Sequence, residues 1–379
     1  MKRQNQHQLN VLLVGPVILA SGITRFIICC LGAKIEARYK VFDTSHPVRQ
    51  RITSRPTGYG IIFNAGVLRA MLGALISFKN IIIFPFALII SKADVVHLAG
   101  TGWASFWEFA TYGIIGKILR RKVIFHYHGP FEDFYQKSSI SAKKLIEWFF
   151  KQYDAIFVLS EVDKKIISGF IPNQKVYIIP NGVKINSDLQ IPRRNDQQTI
   201  RVLFLGGVDP LRKGLIDLIK AANLAVEEGI QAEWIIGGTK TVLTKIDQYG
   251  LEKTRKSINF IGELSDNAKN KWYQQVDIYA LPSYEEGMPY SILEAMSFGL
   301  PIISTDVGGI PEVVTDGVNG YLLKPGDVQG ILECLKRLKN DPELFSTISQ
   351  NNLKTIKERF SDAEILNRID SIYQLIACK

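Results

Sequence analysis

Two glutamates with seven residues between them are the side chains best placed for chemistry. Glu286 stands in a loop rich in proline and glycine, and Glu294 follows in a helix predicted to begin near Tyr290. The first turn of a helix presents unpaired backbone N–H groups and the positive end of its dipole, which attract an anion. Two carboxylates beside an anion site suit a ligand that has both hydroxyl and phosphate groups. A sugar nucleotide is such a ligand.

Length and composition indicate a globular protein of two domains. The chain has 379 residues, of which 46% are hydrophobic and 22% are charged, and a chain of this length exceeds one ordinary core. Its four cysteines show neither metal-ligand spacing nor a disulfide framework, which favours a reducing compartment. They are Cys29, Cys30, Cys334 and Cys378.

The net charge of +10 is concentrated in the first half of the chain. Residues 1–190 contain 24 Lys and Arg against 11 Asp and Glu, a net charge of +13, and the remainder carries −3. Such asymmetry favours an anionic partner for the first half. No nucleic-acid-binding module is recognisable, so we predict no nucleic acid and favour anionic lipid headgroups. A generally basic cytosolic protein is the alternative.

Two apolar segments bear on membrane location. The run that begins at Val11 is interrupted by Gly15 and Pro16, so we predict a first β-strand rather than a signal peptide. The run Ile81–Ile90 is ten residues long and contains Pro85, which predicts a segment too short to span a bilayer. It is expected in the core or as a shallow interfacial segment.

Short Val/Ile/Leu runs alternate with helical patterns along the chain. Continuous apolar strands separated by helices indicate parallel sheets that are buried on both faces, as in doubly wound α/β domains. A polar stretch without apolar periodicity, Asn186–Thr199, is the predicted linker. The predicted strands are Val11–Val14, Asp94–Leu98, Val123–Tyr127, Ala155–Leu159 and Val176–Ile179 before it, and Arg201–Leu205, Ala232–Ile236, Ile258–Ile261, Ile278–Leu281 and Pro301–Ser304 after it.

The long segment that begins at Glu286 and continues through Glu294 to Leu323 closely resembles the signature of retaining glycosyltransferases of family 4. This resemblance implies the GT-B fold, with two Rossmann-like, doubly wound α/β domains that face a cleft. It places the acceptor domain at residues 1–190 and the nucleotide-sugar domain at 200–360. The amphipathic segment Asp362–Ala377 is implied to return to the first domain as its last helix.

The resemblance also implies roles for residues of the second domain. Lys213 matches the cation that holds the donor diphosphate, and Glu286 matches the carboxylate near the donor sugar. Where the family has an arginine directly after the strand, this chain has Gly207 or Val208, so we hypothesise that Arg212 replaces it. The other implied donor contacts are Gly238 near the base, Gly287, Met288 and Pro289 in the loop, and Glu294 at the ribose hydroxyls.

In the first domain the resemblance implies ligand contacts at two positions. Gly22 matches a glycine beside the donor phosphates or acceptor, and His128 in His126-Tyr-His-Gly-Pro130 matches a histidine that contacts the donor sugar. His126 is predicted to lie within the strand and to be buried. Ser160-Glu161 and Pro180-Asn-Gly-Val183 also match the family pattern, and the Asn181-Gly182 pair is expected to form a turn.

We therefore predict a glycosyltransferase that moves a sugar from a nucleotide diphosphate donor, a UDP-sugar, to a glycan or lipid-linked acceptor in bacterial surface polysaccharide synthesis. His128, Glu286 and Lys213 are the predicted catalytic residues. No Asp-x-Asp motif stands out, so no metal or other cofactor is expected. A cytoplasmic location is predicted, peripheral on the plasma membrane if the Lys143–Lys151 segment contacts lipid. Another GT-B enzyme, such as an epimerase or phosphorylase, and a non-catalytic sugar-binding protein remain alternatives.

Overall fold

The computed structural model describes residues 8–17, 22–32, 37–45, 67–185, 199–207, 209–238, 254 and 256–378. The chain divides into two compact units, with divisions after Gly182 and after Ser361. The first unit resumes at Asp362, and the second runs from Val183 to Ser361. Residues 186–198 of the predicted linker lie outside the described part of the chain.

The first unit is built on a six-stranded sheet in the order β2-β1-β3-β4-β5-β6, and every neighbouring pair is parallel. Its elements in chain order are β1 (Asn10–Gly15), α1 (Gly22–Gly32), β2 (Arg38–Asp43), α2 (Val67–Ser91), β3 (Val95–Gly100), α3 (Ala104–Ile118), β4 (Lys122–Tyr127), α4 (Phe131–Lys137), α5 (Ile140–Gln152), β5 (Ala155–Val158), α6 (Glu161–Ser168), β6 (Val176–Ile178) and the C-terminal helix, called α12 below (Asp362–Ala377).

Helices cover both faces of this sheet because its strands are apolar on both sides. Strand β3 is buried along its whole length, as expected for a parallel strand covered on two faces. One hydrophobic cluster joins the sheet to α2, α3, α4 and α5, and a second joins it to α1 and α12. The first unit is therefore a three-layer α/β domain that is complete only with the last helix.

The C-terminal helix is tied to the first sheet by polar contacts as well as by burial. The Tyr373 hydroxyl lies 2.5 Å from Nδ1 of His97 on β3, and both groups are fully buried. Nη2 of Arg368 donates a hydrogen bond to the Ile178 carbonyl at 2.8 Å. The implied return of this helix to the first domain is thus confirmed.

The second unit contains a six-stranded parallel sheet in the order β12-β11-β10-β7-β8-β9. This is the order 6-5-4-1-2-3, which is that of a dinucleotide-binding Rossmann domain. Its elements are β7 (Ile200–Leu205), α7 (Leu215–Glu227), β8 (Ala232–Gly237), β9 (Ile258–Gly262), α8 (Asp266–Gln275), β10 (Ile278–Leu281), α9 (Tyr290–Ser297), β11 (Ile302–Thr305), β12 (Gly320–Leu323), α10 (Val328–Asn340) and α11 (Pro342–Thr355).

The sequence-based strand set was incomplete at the edges of both sheets. Strands β2 and β12 were not predicted, and each lies at the end of its strand order. Strand β2, Arg-Tyr-Lys-Val-Phe-Asp, is exposed or half-buried at every position, so it lacks the continuous apolar run that identifies a central strand.

The predicted length of the apolar segment at Ile81–Ile90 was wrong. These residues form the C-terminal part of α2, a 25-residue helix that continues through Pro85. Among the described residues, Gly73–Ser91 is the one helical stretch long and apolar enough to cross a membrane by length and composition. The polar residues Lys79 and Asn80 interrupt the apolar run, so the run alone indicated too short a segment. The apolar residues before and after this interruption lie on the same face of one helix.

The contact between Tyr373 and His97 yields a stability prediction. Replacing Tyr373 with Phe removes the hydroxyl and leaves Nδ1 of His97 buried without this partner, which costs about 1–3 kcal/mol. Urea unfolding monitored by hydrogen exchange in β3 peptides measures the loss. Tyr177→Phe, at a half-buried tyrosine of the same sheet, is the matched control. An equal loss in both variants would contradict the prediction.

Candidate functional site

In the second unit, the loops after β7 and β10 meet at the point where the strand order reverses. These two strands are neighbours in the sheet. The strand that follows β7 lies on one side of the pair, and the strand that follows β10 lies on the other. Ligands of open α/β sheets bind outside the carboxyl ends of strands at such a switch point. The β7 loop (206–214) carries Arg212 and Lys213, and the β10 loop (282–289) carries Glu286.

A close backbone approach fixes these two loops against each other. Gly214 has a φ of +84°, and a Cβ atom there would lie 1.9 Å from the Pro282 carbonyl oxygen. The Tyr284 N–H donates to the Arg212 carbonyl at 2.9 Å. Only glycine combines this left-handed conformation with so short a distance. The sequence Lys213-Gly214 is therefore positioned by the backbone rather than by side-chain packing.

Lys213 and Glu286 form an ion pair across the two loops. Nζ of Lys213 lies 3.2 Å from Oε1 of Glu286, and the side chains are only 20% and 10% exposed. Removing both charges from most of their water strengthens their mutual attraction. The structure thus brings together two residues that are 73 positions apart in the sequence and that were both predicted for the donor site.

Arg212 makes a different set of contacts from its neighbour. Its Nη1 donates to the Glu285 carbonyl at 2.8 Å, and its Nε lies 3.4 Å from Oδ2 of Asp209. The guanidinium therefore links the loop after β7 to the loop after β10, and its charge is balanced in part by the Asp209 carboxylate. The role of Arg212 as a replacement cation for the donor stays a prediction.

Glu294 lies on α9, which begins at Tyr290 as predicted. The Tyr273 hydroxyl donates to Oε2 of Glu294 at 3.0 Å, and both side chains are buried. Pro289 precedes the first turn and Met288 is buried against the same loop. Pro289 provides no side-chain cap, and the first turn of α9 carries the positive end of the helix dipole, which attracts an anion.

The loop after β11 supports the Glu286 loop from the other side. Gly308 has a φ of +55°, and a Cβ atom there would lie 1.7 Å from the Glu286 carbonyl oxygen. The Gly309 N–H donates to the Gly287 carbonyl at 2.6 Å. The Val-Gly-Gly sequence 307–309 was part of the recognised signature, but its supporting role was not predicted from sequence.

Gly238 follows β8 at the same edge of the second sheet. Its N–H donates to the Gly262 carbonyl at 2.9 Å, and a Cβ atom there would lie 3.1 Å from the Gly207 carbonyl oxygen. The glycines that follow β7, β8 and β9 therefore lie close to one another. A glycine-lined surface allows a flat group to approach the backbone closely.

In the first unit, three histidines form a cluster: His97 on β3 and His126 on β4 are fully buried, and His128, directly after β4, is half-buried. His97 Nε2 lies 3.3 Å from His126 Nδ1, and the rings of His126 and His128 have centroids 3.9 Å apart. Phe26 of α1 contacts all three rings, with centroid distances of 4.9–5.2 Å. His126 is fully buried within the strand, as predicted.

Burial keeps all three imidazoles neutral. Desolvation lowers the pKa of His97 and of His128 to about 3, and it lowers the pKa of His126 well below its usual value. A hydrogen bond with Asn181 opposes the shift at His128 without reversing it. Among the described residues, Nε2 of His128 is a buried atom that has no hydrogen-bond partner.

The His128 loop is held by a residue that sequence reasoning missed. Oδ1 of Asp163, on α6, accepts hydrogen bonds from the Phe131 and Glu132 N–H groups at 3.0 and 3.3 Å. Burial raises the pKa of Asp163 to about 6. The Ser160-Glu161 segment, which the family pattern did mark, begins the helix that carries this aspartate.

The remaining predicted site residues have varied outcomes. Gly22 is the first residue of α1, but Ser21 before it lies outside the described residues. The described residues contain no group of three or more His, Cys, Asp or Glu that would suit a metal ion. Lys213, Glu286, Glu294 and the 287–289 loop belong to the second unit, and His128 belongs to the first.

Family models match both units. Residues 24–187 match the model described as Glycosyltransferase Family 4, and residues 199–341 match the one described as Glycosyl transferases group 1. The chain belongs to glycosyltransferase family 4. The family thus accounts for both sheets and for the Glu286–Glu294 segment on which the resemblance was based.

Individual relatives of this family 4 protein carry names from polysaccharide synthesis. It is 27% identical over 163 residues to the capsular polysaccharide biosynthesis glycosyltransferase CapM of Staphylococcus aureus, which covers 42% of each chain. It therefore spans less than half the length of that relative. It is 26% identical over 307 residues to the UDP-Gal:alpha-D-GlcNAc-diphosphoundecaprenol alpha-1,3-galactosyltransferase of Escherichia coli, covering 75% of each.

The fold of this family 4 protein is also that of solved structures. The crystal structure of Anabaena HepE in complex with UDP aligns with a TM-score of 0.74 at 18% identity, covering 96% of this chain and 99% of HepE. HepE in complex with UDP-glucose aligns with a TM-score of 0.72. The predicted two-domain α/β fold is confirmed.

The contact at Gly308 predicts a large effect of a small substitution. Gly308→Ala places a methyl group on the Glu286 carbonyl in addition to the strain of a positive φ, so it should destabilise the second unit. The expected loss exceeds that of Gly317→Ala by about 2 kcal/mol or more. Gly317 is the matched control because its φ is +70° with nothing within 4 Å. Equal free energies of unfolding would contradict this account.

The buried histidines predict acid sensitivity of the first unit. Their folded-state pKa values lie below that of an unfolded histidine, so stability is complete above about pH 6.5 and falls as the unfolded chain takes up protons. Each histidine should cost about 1.4 kcal/mol between about pH 7.5 and 5.5. Hydrogen exchange in β4 peptides measures the change, and His126→Gln should reduce it by about one third. An unchanged pH dependence in that variant would refute the assignment.

Proposed function

We propose that this family 4 protein transfers a sugar from a UDP-sugar, with retention of the anomeric configuration, to a glycan or lipid-linked acceptor. The observation that carries the proposal is the Lys213–Glu286 ion pair at the switch point of the second sheet. It adjoins the uncapped first turn of α9, which also carries buried Glu294. Cation, helix terminus and carboxylates together match a ligand that has phosphates and hydroxyls.

The donor diphosphate would bind between Lys213 and the first turn of α9. The leaving diphosphate gains negative charge as the glycosidic bond breaks, so fixed positive groups stabilise the transition state more than the ground state. In the free protein the Lys213 charge is balanced by Glu286. A bound diphosphate would compete for the ammonium group, which leaves Glu286 free to accept a hydrogen bond from a sugar hydroxyl.

Glu294 is suited to the ribose. Its carboxylate is oriented by the Tyr273 hydroxyl, and a buried carboxylate that binds hydroxyl groups rejects a ligand that lacks one. The neighbouring glycines at 207, 238 and 262 offer a flat surface for the base. The UDP complex of HepE supports uridine as this base, and the name of the E. coli relative supports it independently.

The first unit would contribute His128 to the donor sugar. Because its pKa is near 3, this imidazole is neutral at physiological pH and acts by hydrogen bonding rather than as a charged acid. Its Nε2 has no partner among the described residues. We propose no metal ion for the reaction, since Lys213 and the helix terminus supply the positive charge; retained activity in EDTA is the expected result.

The acceptor is proposed to be lipid-linked, and the protein to be cytoplasmic and peripheral on the plasma membrane. The names of CapM and of the E. coli enzyme, which acts on a diphosphoundecaprenol acceptor, support this choice. The excess positive charge of residues 1–190 is consistent with an anionic surface. The acceptor would then be part of a surface polysaccharide.

The donor site is tested by binding and turnover in matched variants. Lys213→Ala should weaken UDP binding at least about tenfold, because it removes the cation and leaves Glu286 buried and unpaired. Arg212→Ala tests the hypothesis that this residue replaces the missing family arginine, and it should weaken binding as well. Calorimetry with UDP measures both, and Lys324→Ala, at a strongly exposed lysine of the same unit, is the control.

Turnover distinguishes the proposal from its alternatives. UDP-sugars incubated with purified undecaprenyl-linked acceptors should give UDP and an extended glycan whose new bond keeps the donor configuration by NMR. An inverted product would refute retention. Phosphorolysis, an epimerised donor without acceptor, or binding without transfer across the panel would each refute the proposed transfer. Unchanged UDP affinity in Arg212→Ala would remove only the role of that arginine.

A further inference from the structure

Helix α2 has an apolar stripe that faces solvent. The stripe consists of Leu75, Phe78, Ile82, Ile83, Phe86, Ile89 and Ile90, all exposed. At 100° per residue these positions fall within an arc of about 140° on one side of the helix. Phe78 and Phe86 are each 63% exposed, and Ile90 is 76% exposed. Single exposed apolar residues are common on protein surfaces, but a contiguous apolar surface of seven side chains is not.

The opposite side of α2 is fixed to the first sheet. Phe84 and Leu88 are fully buried, and the Phe84 ring lies 4.8 Å from Tyr112 of α3 and 5.3 Å from Phe42 of β2. Ser77 donates a hydrogen bond to Glu108 at 3.0 Å. A helix packed in this way cannot cross a bilayer without exposing the core of its own domain. Its free stripe can only lie against a surface.

Positive charge surrounds this stripe. Lys79 is exposed on the same side of α2, and Lys92 follows the helix end. Arg120 follows the end of α3, where Ile118 is 72% exposed. The C-terminal ends of α2 and α3 are adjacent because the strands that follow them, β3 and β4, are paired. The Lys122 N–H donates a hydrogen bond to the Asp94 carbonyl at 3.2 Å.

The nearby carboxylates are turned inward. Glu108 accepts hydrogen bonds from Ser77 and Tyr112, and Asp94 accepts one from the Asn10 N–H. Among the described residues, the side of the unit that bears the stripe therefore presents apolar groups and cations. This combination is typical of surfaces that lie in the headgroup region of anionic membranes.

We propose that α2 is the membrane-docking element of this protein, with the stripe inserted into one leaflet of an anionic phospholipid bilayer and Lys79, Lys92 and Arg120 at the headgroups. A second copy of the chain fits less well, because a two-fold contact would bring the same cations of both copies together. The stripe also offers a protein partner no side-chain hydrogen-bonding group except the Lys79 ammonium. This inference rests on the membrane location proposed above and is independent of the transfer reaction.

The Lys143–Lys151 segment, for which the sequence left membrane contact open, is less suited to this role. It forms part of α5, where Phe150 is fully buried and Phe149 packs on Trp107. Of its large apolar side chains only Leu145 and Trp148 are exposed, at about half of their surface. The segment is an amphipathic helix of the domain whose apolar side mostly faces the core.

Vesicle flotation of the full chain tests the proposal. The protein should bind phosphatidylcholine vesicles more strongly when phosphatidylglycerol is included. Phe78→Ser with Phe86→Ser and Ile90→Ser should reduce binding at least about tenfold, because these side chains lose their apolar burial. Lys92→Glu with Arg120→Glu should remove about tenfold of the phosphatidylglycerol-dependent binding.

Two matched controls separate docking from general surface effects. Val226→Ser with Val318→Ser and Leu375→Ser removes three exposed apolar side chains elsewhere, and Lys354→Glu with Lys357→Glu reverses two exposed cations of the second unit. Both should bind vesicles like the unchanged protein. UDP affinity, measured on every variant, should stay constant, so failure of docking and failure of the donor site are distinguishable.

Depth measurements and oligomeric state complete the test. A tryptophan introduced by Phe86→Trp should be quenched by lipids brominated on the acyl chain, whereas one introduced by Val318→Trp should not. Wild-type binding by the triple serine variant, or no binding to phosphatidylglycerol vesicles at low salt, would overturn the proposal. A dimer that this variant dissociates, with vesicle binding unchanged, would assign the stripe to a second copy instead.

Discussion

The parallel sheet is the constraint on which both units depend. Parallel strands require a crossover between each pair, so helices cover both faces and every strand ends at the same edge. Loops that are distant in sequence therefore meet at that edge. In the second unit this brings the loops after β7 and β10 together, and with them Lys213 and Glu286. The His128 loop follows β4 in the first unit for the same reason.

Precision at the second-unit site comes from backbone contacts rather than from side chains. Gly214 lies against the Pro282 carbonyl and Gly308 against the Glu286 carbonyl, and neither position has room for a Cβ atom. Two rigid contacts thus hold the Glu286 loop from both sides. The ion pair to Lys213 is then formed between preorganised groups, which limits the conformational entropy that binding must offset.

Much of this arrangement could be predicted from the sequence, because central strands and the recognised signature are local patterns. Ten of the twelve strands, including the edge strands β6 and β9, follow from apolar runs, and the start of α9 follows from the Pro289 boundary. Edge strands β2 and β12 were not predicted; β2 is exposed or half-buried throughout and lacks such a run, and β12 has only four residues. The Asp163 contact, the His97–Tyr373 pair and the outward stripe of α2 depend on which elements become neighbours. A single sequence does not reveal such tertiary contacts.

The assignment of α12 to the first unit sets an order for biosynthesis. The described part of the second unit lies between Val183 and Ser361, whereas the first unit needs Asp362 onward to cover one face of its sheet. On the ribosome the second unit can complete its core while the first still exposes the surface around His97. Residues His97 and Tyr373 are 276 positions apart, which at about 5–20 residues per second is a delay of roughly 14–55 s. The first unit is therefore synthesised first but completes its fold last. Until then it is the unit that a chaperone would have to protect.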